Sequence, residues 1–177
     1  MTLSRPFNPF TAAHPFRVSA SAFDMTQVNL LQGARVYNST DIIVPTSGSW
    51  GTALTFDSER YDPNGYHSLT LNPGRLTVPM GRGGIHDIVF SGEFQTTAAD
   101  GGRGFRLIVN GTTVIAVSSI NAAAGVINLN WATTLTAFYN LASGDFVEVQ
   151  PFQNGSGNQN VVFAASYSPE FMIVRRS

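Results

Sequence analysis

Apolar and polar residues alternate with a period of two along most of the chain that follows Gly33. The segment VINLNWATTLTAFY, residues 126–139, shows the pattern most clearly. One side of it carries Ile127, Leu129, Trp131, Thr133, Leu135, Ala137 and Tyr139, and the other side carries Asn128, Asn130, Thr134 and Thr136. Successive side chains of a strand point to opposite faces of a sheet, so the pattern predicts a half-buried strand.

Two further segments predict a hairpin and a second strand. In GFRLIVNGTTVIAV, residues 104–117, the pair Asn110-Gly111 suits a type I′ turn between two alternating strands. In IHDIVFSGEF, alternate residues share one face, namely His86, Ile88, Phe90, Gly92 and Phe94. The shorter runs ARVY, RLTVP, DFVEVQ and NVVFAASY are separated by Gly, Asn, Asp and Pro. About eight to ten short strands without a long helical pattern predict an all-β fold, an antiparallel sandwich or jelly roll.

The first 33 residues have a different pattern. One dipeptide occurs three times, as Pro6-Phe7, Pro9-Phe10 and Pro15-Phe16. Proline opposes regular secondary structure, so we expect an extended arm here. Asp24 is then predicted to cap a short helix that ends at Gly33. The predicted organisation is an N-terminal attachment arm with this short helix at 1–33 and a jelly-roll domain at 34–177.

Composition argues against several functional classes. The net charge is −1 and no basic or acidic run occurs, which argues against nucleic acid and an anionic membrane as partners. No segment approaches the about 18 apolar residues of a membrane span, so we expect no membrane insertion. The N-terminus lacks the apolar core of a signal peptide, so we expect no export by that route. The chain has no cysteine and all ten basic residues are arginine, which excludes thiolate and lysine Schiff-base chemistry.

The motifs that begin at Ala34 occur in a recognisable order. They are ARVYNS, LTFDSERYDPNGYHS, RLTVP, NG, LASGDFVEV, QNGSG and SPEF, spread over residues 34–174. Their order and spacing resemble the globular domain shared by complement component 1q and tumour necrosis factor, in the version common in bacterial and phage proteins. This resemblance implies a ten-stranded jelly roll, a tight homotrimer about a three-fold axis, and a binding or assembly role without catalysis.

The resemblance extends to individual residues. The strand-and-turn signature of the family corresponds to Phe56, Asp57, Glu59, Tyr61 and Asp62. The strand that enters the centre of the sheet corresponds to Arg75, Leu76, Val78 and Pro79. The turn and strand before the last hairpin correspond to Gly144, Asp145, Val147 and Glu148, and the terminal-strand aromatic corresponds to Phe171.

His86 marks a departure from the family, whose Gly-x-Tyr reads Gly84-Ile85-His86 here. Asp87 is its neighbour, but adjacent residues of a strand point to opposite faces, so the two do not form an acid–base dyad. His86 shares its face with apolar residues, which favours a core or three-fold-axis position over catalysis. At an axis, protonation would bring three charges together and weaken the trimer below about pH 6. The predicted trimer or core residues are His86, Phe90, Phe94, Tyr61 and Phe171.

Asp57, Glu59 and Asp62 lie within six residues and are weak candidates for calcium ligands, which some family members use. Calcium takes about six to eight oxygens and no EF-hand pattern surrounds these three, so we expect no metal or other cofactor. The alternative is that Asp57 and Asp62 cap turns while Glu59 pairs with an arginine such as Arg60 or Arg75.

Three loops are small, polar and rich in glycine: TTAADGGRG, SINAAAG and QNGSGNQN. Ordinary solvated loops have this composition, and the alternative is a ligand site. QNGSGNQN is the best candidate for binding a sugar, because amides and backbone groups bind hydroxyls, although no aromatic platform flanks it closely. No G-x-S-x-G motif occurs and the three histidines lack metal-site spacing, so we do not expect an enzyme.

Two functions fit these features. The first is a structural virion protein of a tailed phage, a trimeric capsid decoration, head-fibre or tail component assembled in the host cytoplasm. Its arm would bind the major capsid protein or another virion protein. The anchors would be Phe7, Phe10 and Phe16, and the arm would be kept extended by Pro6, Pro9 and Pro15. The second function is a trimeric tail or fibre tip that binds a host-surface receptor or glycan.

Two alternatives stay open at this point. The arm either binds a partner protein or folds back over its own trimer, and both arrangements bury the aromatic rings. A bacterial protein outside any virus would use the same trimer for extracellular adhesion, although the lack of a signal peptide argues against it. The short arm favours attachment to a lattice over a receptor-binding tip, which usually follows a long shaft.

Overall fold

A computed structural model of the chain describes residues 32–95, 101–122 and 130–176. The predicted arm and short helix, up to residue 31, lie outside the described residues, as do Ile127 and Leu129. Gly33, predicted as the last residue of the helix, is instead the first residue of a strand, because its backbone pairs with that of Val174. The structure therefore bears on the predicted jelly-roll domain and leaves the arm as a prediction.

The described residues form eleven strands, somewhat more than the predicted number. In chain order they are β1 (Gly33–Tyr37), β2 (Ile42–Val44), β3 (Ser58–Tyr61), β4 (Arg75–Thr77), β5 (Gly84–Phe94), β6 (Gly101–Val109), β7 (Thr113–Ala122), β8 (Trp131–Leu141), β9 (Phe146–Gln153), β10 (Gln159–Val161) and β11 (Glu170–Arg175). In this part of the chain, no helix is long and apolar enough to cross a membrane.

The strands form two sheets. Sheet A has seven strands in the order β2-β10-β5-β11-β1-β3, and β8 also pairs with β5. Sheet B has four strands in the order β4-β9-β6-β7. Each of these pairings is antiparallel. The predicted all-β antiparallel architecture is confirmed.

The period-two pattern and the predicted turn are both confirmed where the structure describes them. Along β8, alternate residues from Trp131 to Leu141 are buried or half-buried, and the residues between them are exposed. Asn110 and Gly111 have φ angles of 51° and 70°, and the Thr112 amide donates to the Val109 carbonyl at 3.1 Å. Two positive φ values define the type I′ turn that joins β6 to β7.

The core lies between the two sheets and is centred on aromatic rings. The ring of Phe105 in β6 lies 4.9 Å from that of Phe90, 4.6 Å from that of Phe94 and 5.7 Å from that of Trp131, measured between centroids. Phe105 belongs to sheet B and the other three residues belong to sheet A. The cluster therefore joins the two sheets, and such pairs add to the stabilisation from burial.

Four of the five residues predicted for the trimer or the core are fully buried in the single chain: His86, Phe90, Phe94 and Phe171. Tyr61 is not a core residue, because it ends the edge strand β3 and is only half-buried. Burial raises the pKa of Tyr61, and the nearby charge of Arg35 partly offsets that effect. The prediction of Tyr61 as a trimer or core residue is therefore wrong for the core and stays a prediction for the trimer.

Candidate functional site

The outer face of sheet A, which points away from the core, carries an apolar strip formed by Ile85, Val89, Phe138, Met172 and Val174. Met172 of β11 pairs with Val89 of β5, and Val174 follows two positions later on the same face. All three are half-buried, while the residues that alternate with them are buried in the core. Ile85 and Phe138 lie on the same face, and Phe138 is 72% exposed. A sheet face in water is normally polar, so the apolar strip is a candidate interface.

Ion pairs lie within the apolar strip as well as beside it. Asp87 stands between Phe138 and Val174 on the same face and pairs with Arg176. Glu170, which is 5% exposed, binds Arg35 and also accepts from Arg60 Nη2 at 2.8 Å. The guanidinium of Arg60 lies 4.1 Å from the centre of the Tyr37 ring. Glu170 thus holds two arginines on the outer face of sheet A, and charge-assisted bonds of this kind fix the position of the side chains.

His86 lies beneath this face, inside the core. Its Nδ1 lies 2.9 Å from the Gly84 carbonyl oxygen, and its Nε2 lies 3.4 Å from the Tyr66 hydroxyl. A carbonyl only accepts, so Nδ1 carries the proton and Nε2 accepts from Tyr66. Burial lowers the pKa of His86, the Gly84 bond opposes that effect, and the positive charge of Arg175 lowers the pKa further.

The proposed three-fold-axis position of His86 is wrong. The side chain is 0% exposed in a single chain, so it has no surface to offer a neighbouring subunit. The Tyr66 hydroxyl, from a different segment, lies beside the His86 ring, and burial raises the pKa of Tyr66. The pair His86–Tyr66 therefore belongs to the core of the chain.

Asp57 caps a neighbouring loop. Its carboxylate accepts from the backbone N and the Oγ of Ser39 at 2.9 and 2.7 Å. Burial raises the pKa of Asp57, but the bonds from Ser39 and Ser58 outweigh burial and leave the pKa below its ordinary value. Asp57 therefore joins the residues that follow β1 to the start of β3.

Asp62 caps its own turn, which agrees with the interpretation offered as the alternative to calcium. Its two carboxylate oxygens accept from the backbone N of Tyr66 at 2.9 Å and of His67 at 2.8 Å. Across residues 32–95, 101–122 and 130–176, no group of three or more His, Asp or Glu side chains is placed to hold a metal ion. Asp57, Glu59 and Asp62 do not converge on one point.

Glu59 pairs with a histidine, and the prediction of an arginine partner is wrong. Its Oε1 lies 2.9 Å from Nδ1 of His67, whose Nε2 lies 3.1 Å from the Pro73 carbonyl oxygen. The two arginines proposed as partners, Arg60 and Arg75, pair with other carboxylates. His67 has an acceptor at each ring nitrogen and therefore ties β3 to the loop that precedes β4.

The outer face of sheet B carries four flat, half-buried side chains that we call the aromatic platform: Trp50, Arg106, Gln150 and Phe152. Trp50 pairs with Phe152 through the backbone, and their ring centroids lie 5.5 Å apart. The guanidinium carbon of Arg106 lies 4.7 Å from the Trp50 ring centre. Arg106 Nε and Nη2 donate to Gln150 Oε1 at 2.9 and 2.6 Å. The expectation that no aromatic platform flanks the QNGSGNQN loop is therefore wrong, because Phe152 directly precedes that loop and Trp50, distant in sequence, packs against Phe152.

The QNGSGNQN loop presents fewer free amides than its composition indicates. Gln153 is 0% exposed, and its Nε2 donates to the Val44 carbonyl at 3.1 Å. Gln159 is 1% exposed and also turns into the protein. Two of the amides expected to bind a sugar are therefore inside the fold. The other two glycine-rich loops, TTAADGGRG and SINAAAG, extend in part beyond the described residues.

Comparisons with known proteins identify the fold. No family model and no curated protein matches the sequence. The structure of Eiger TNF from S. frugiperda matches with a TM-score of 0.57 and 10% identity, over 83% of this chain and 93% of that one. The globular domain of zebrafish complement 1qA matches with a TM-score of 0.50 and 15% identity, over 81% of this chain and 93% of that one. The chain has the jelly-roll fold shared by tumour necrosis factor and complement 1q domains.

Proposed function

We propose that this chain is a non-catalytic structural protein of a tailed-phage virion, which forms a homotrimer and attaches to the particle through its N-terminal arm. The observation that carries the trimer is the apolar strip on the outer face of sheet A. Burial of apolar surface contributes about 25 cal/mol per Å². A second copy packed on the strip would remove the exposed ring of Phe138 and its half-buried neighbours from water.

The fold and the ion pairs support the same assembly. The jelly-roll fold agrees with the sequence resemblance, which implies a trimer about a three-fold axis. Glu170 neutralises part of the charge of Arg35 and Arg60 beside the strip. A face that combines exposed apolar side chains with paired charges has the composition of a protein interface.

The positions of the histidines support a role without catalysis. His86 is buried and hydrogen-bonded to Gly84 and Tyr66, and His67 is held between Glu59 and Pro73. A general base must lie within hydrogen-bond reach of the hydroxyl that it activates. Among the residues that the structure describes, neither histidine has a serine or threonine hydroxyl as its hydrogen-bond partner. Both histidines therefore act in the packing of the subunit.

The trimer is tested by the mass of the purified full-length chain. We expect the wild type to sediment at about three times the 19.0 kDa of one chain. Met172→Arg places a charge in the centre of the apolar strip and should yield monomers, because an unpaired buried charge opposes association. Thr77→Arg, on the outer face of sheet B, is the matched control and should stay trimeric. A wild-type monomer, or equal masses for the two variants, would contradict the proposal.

Attachment is tested with phage particles that lack the protein. We expect saturable binding of the full chain to such particles, and we expect a variant without residues 1–20 to stay trimeric but to lose binding. Loss of the trimer on truncation would instead make the arm part of the subunit assembly. Saturable binding to host cells but not to particles would favour the second function, a tail or fibre tip.

A further inference from the structure

The aromatic platform lies on the outer face of sheet B, and the apolar strip lies on the outer face of the other sheet. We propose that the platform is a carbohydrate-binding site that accepts a pyranose ring of an oligosaccharide on Trp50 and Phe152. The inference is independent of the trimer, and it would give the protein a second binding surface.

Two glycines let the rings lie close to the sheet. Gly102 and Gly104 occupy successive outward positions of β6, followed by Arg106. A Cβ atom at Gly102 would lie 3.3 Å from Cε1 of Phe152, and one at Gly104 would lie 3.4 Å from Cη2 of Trp50. The absence of side chains at these two positions therefore leaves the rings room close to the sheet.

The platform is held in place before any ligand arrives. The Gly51 amide donates to the Pro151 carbonyl at 2.8 Å, and the Gly48 amide donates to the Gln153 carbonyl at 3.2 Å, so both sides of Trp50 are fixed to β9. Arg106 is fixed by its two bonds to Gln150. Ordering the side chains in advance reduces the entropy lost on binding.

The chemistry of these groups suits a sugar. A pyranose ring has faces of C–H groups that pack on aromatic rings, and a rim of hydroxyls that need hydrogen-bond partners. Trp50 and Phe152 supply the rings, and both are half-buried, so part of each remains accessible. The guanidinium of Arg106 has five N–H donors, of which the bonds to Gln150 use two. Asn154 is exposed at the end of β9, beside Phe152.

A protein partner fits this surface less well. Protein hot spots are aromatic or arginine side chains that enter a pocket of the partner and lose their water. Here the rings of Trp50 and Phe152 already contact each other at an interplanar angle of 52°, and the guanidinium of Arg106 lies over the Trp50 ring. A flat ligand that is apolar on its face and polar at its rim would contact both the aromatic rings and the guanidinium of the platform.

Titration calorimetry of the full-length trimer tests the inference. The probes are hexasaccharides of β-1,4-glucose, α-1,4-glucose, β-1,3-glucose, β-1,4-mannose and β-1,4-N-acetylglucosamine. We expect saturable binding of at least one of them. Trp50→Ala should weaken that binding by at least about tenfold, if a pyranose face packs on the indole as strongly as a nucleic-acid base does, for which stacking is worth about 1–3 kcal/mol.

Phe146→Ala is the matched control. Phe146 is an aromatic residue on the same face, and the guanidinium carbon of a different arginine, Arg75, lies 3.9 Å from its ring centre. We expect this variant to bind as the wild type does. If Trp50→Ala fails to fold, Gln150→Ala tests the site instead. We expect Gln150→Ala to weaken sugar binding about threefold to tenfold, because Arg106 loses the hydrogen bonds that hold it in position.

The inference is overturned if none of the five hexasaccharides binds, or if Phe146→Ala weakens binding as much as Trp50→Ala does. The oligomer mass and the particle binding of Trp50→Ala should match those of the wild type. Failure of the carbohydrate site is therefore distinguishable from failure of the proposed virion function.

Discussion

The outer faces of the two sheets differ although they cover the same core. The outer face of sheet A carries the apolar strip, which is crossed by the ion pairs Asp87–Arg176 and Glu170–Arg35. The outer face of sheet B has aromatic rings stacked with arginines. Arginines lie over rings on both faces, since Arg60 lies over Tyr37 and Arg176 over Phe138 on sheet A. The difference is that sheet B places two aromatic rings, Trp50 and Phe152, in contact beside an arginine, and such a group can stay partly in water. This difference underlies the proposals of assembly through sheet A and of ligand binding on sheet B.

We expect the largest effect on stability when one carboxylate is removed from each face, in two separate variants. Glu170 holds two arginines and Glu148 holds one, Arg75. We expect Glu170→Gln to lower the free energy of unfolding by about 2 kcal/mol, below the usual cost of breaking a buried pair because the arginines are partly exposed. Glu148→Gln should cost about 1 kcal/mol.

Urea unfolding measures both values at equal protein concentration, because the stability of an oligomer depends on concentration. Equal losses of unfolding free energy for the two variants would contradict this prediction, because Glu170 would then stabilise the protein no more than Glu148 does. The oligomer mass of each variant is measured alongside, so that a change in assembly is separated from a change in the subunit.

The next test uses pH and concerns the core beneath sheet A. The pKa of His86 is lowered by burial and by the charge of Arg175, against the bond to Gly84, so the unfolded chain binds a proton more readily than the folded chain does. Stability is therefore complete above the unfolded pKa of about 6.5 and falls as pH drops below it. One proton limits the slope to about 1.4 kcal/mol per pH unit.

Urea unfolding at pH 7.5 and pH 5.5 checks this prediction. His86→Gln should remove part of the dependence, because a neutral amide does not titrate in this range, and Tyr66 and Arg175 stay unchanged in charge. A pH dependence that is identical in wild type and His86→Gln would assign the effect to other groups. If the trimer dissociates in acid while each subunit keeps its stability, this account of His86 is wrong.

We expect the smallest effect on stability from a change in the hairpin turn of sheet B, between β6 and β7. Gly111 has a φ of 70°, and a Cβ there would meet no atom within 4 Å, so Gly111→Ala tests backbone strain alone. We expect a loss of about 1 kcal/mol in the free energy of unfolding. Gly157 also has open space around it but is not among the positive-φ residues, so Gly157→Ala is the control and should change stability little.

The strands were predictable because buried and exposed side chains alternate along a half-buried strand, with a period of two residues. The pattern from Trp131 to Tyr139 and the Asn110-Gly111 turn depend on neighbours in sequence, and both are found in the structure. Glu59 shows the limit of that reasoning. Its adjacent arginine was the obvious partner, but the side chains of Glu59 and His67 meet because the Asp62 turn folds the chain back.

The candidate sites needed the pairing of distant strands. Trp50 and Phe152 form the platform only because the segment before β3 runs beside β9. Tyr66 contacts the buried ring of His86 from another segment, and no local motif indicates this contact. The apolar strip likewise requires the register of β5 with β11, since Val89 and Met172 are distant in sequence.

The two tryptophans of the chain lie in different layers of the molecule. Trp131 packs against the core with its ring 5.7 Å from that of Phe105, whereas Trp50 lies on the outer face of sheet B. Indole fluorescence depends on the polarity around the ring, so the protein carries one optical reporter for its interior and one for its surface. Single Trp→Phe replacements would assign each signal, and unfolding and surface events could then be followed in one sample without an added dye.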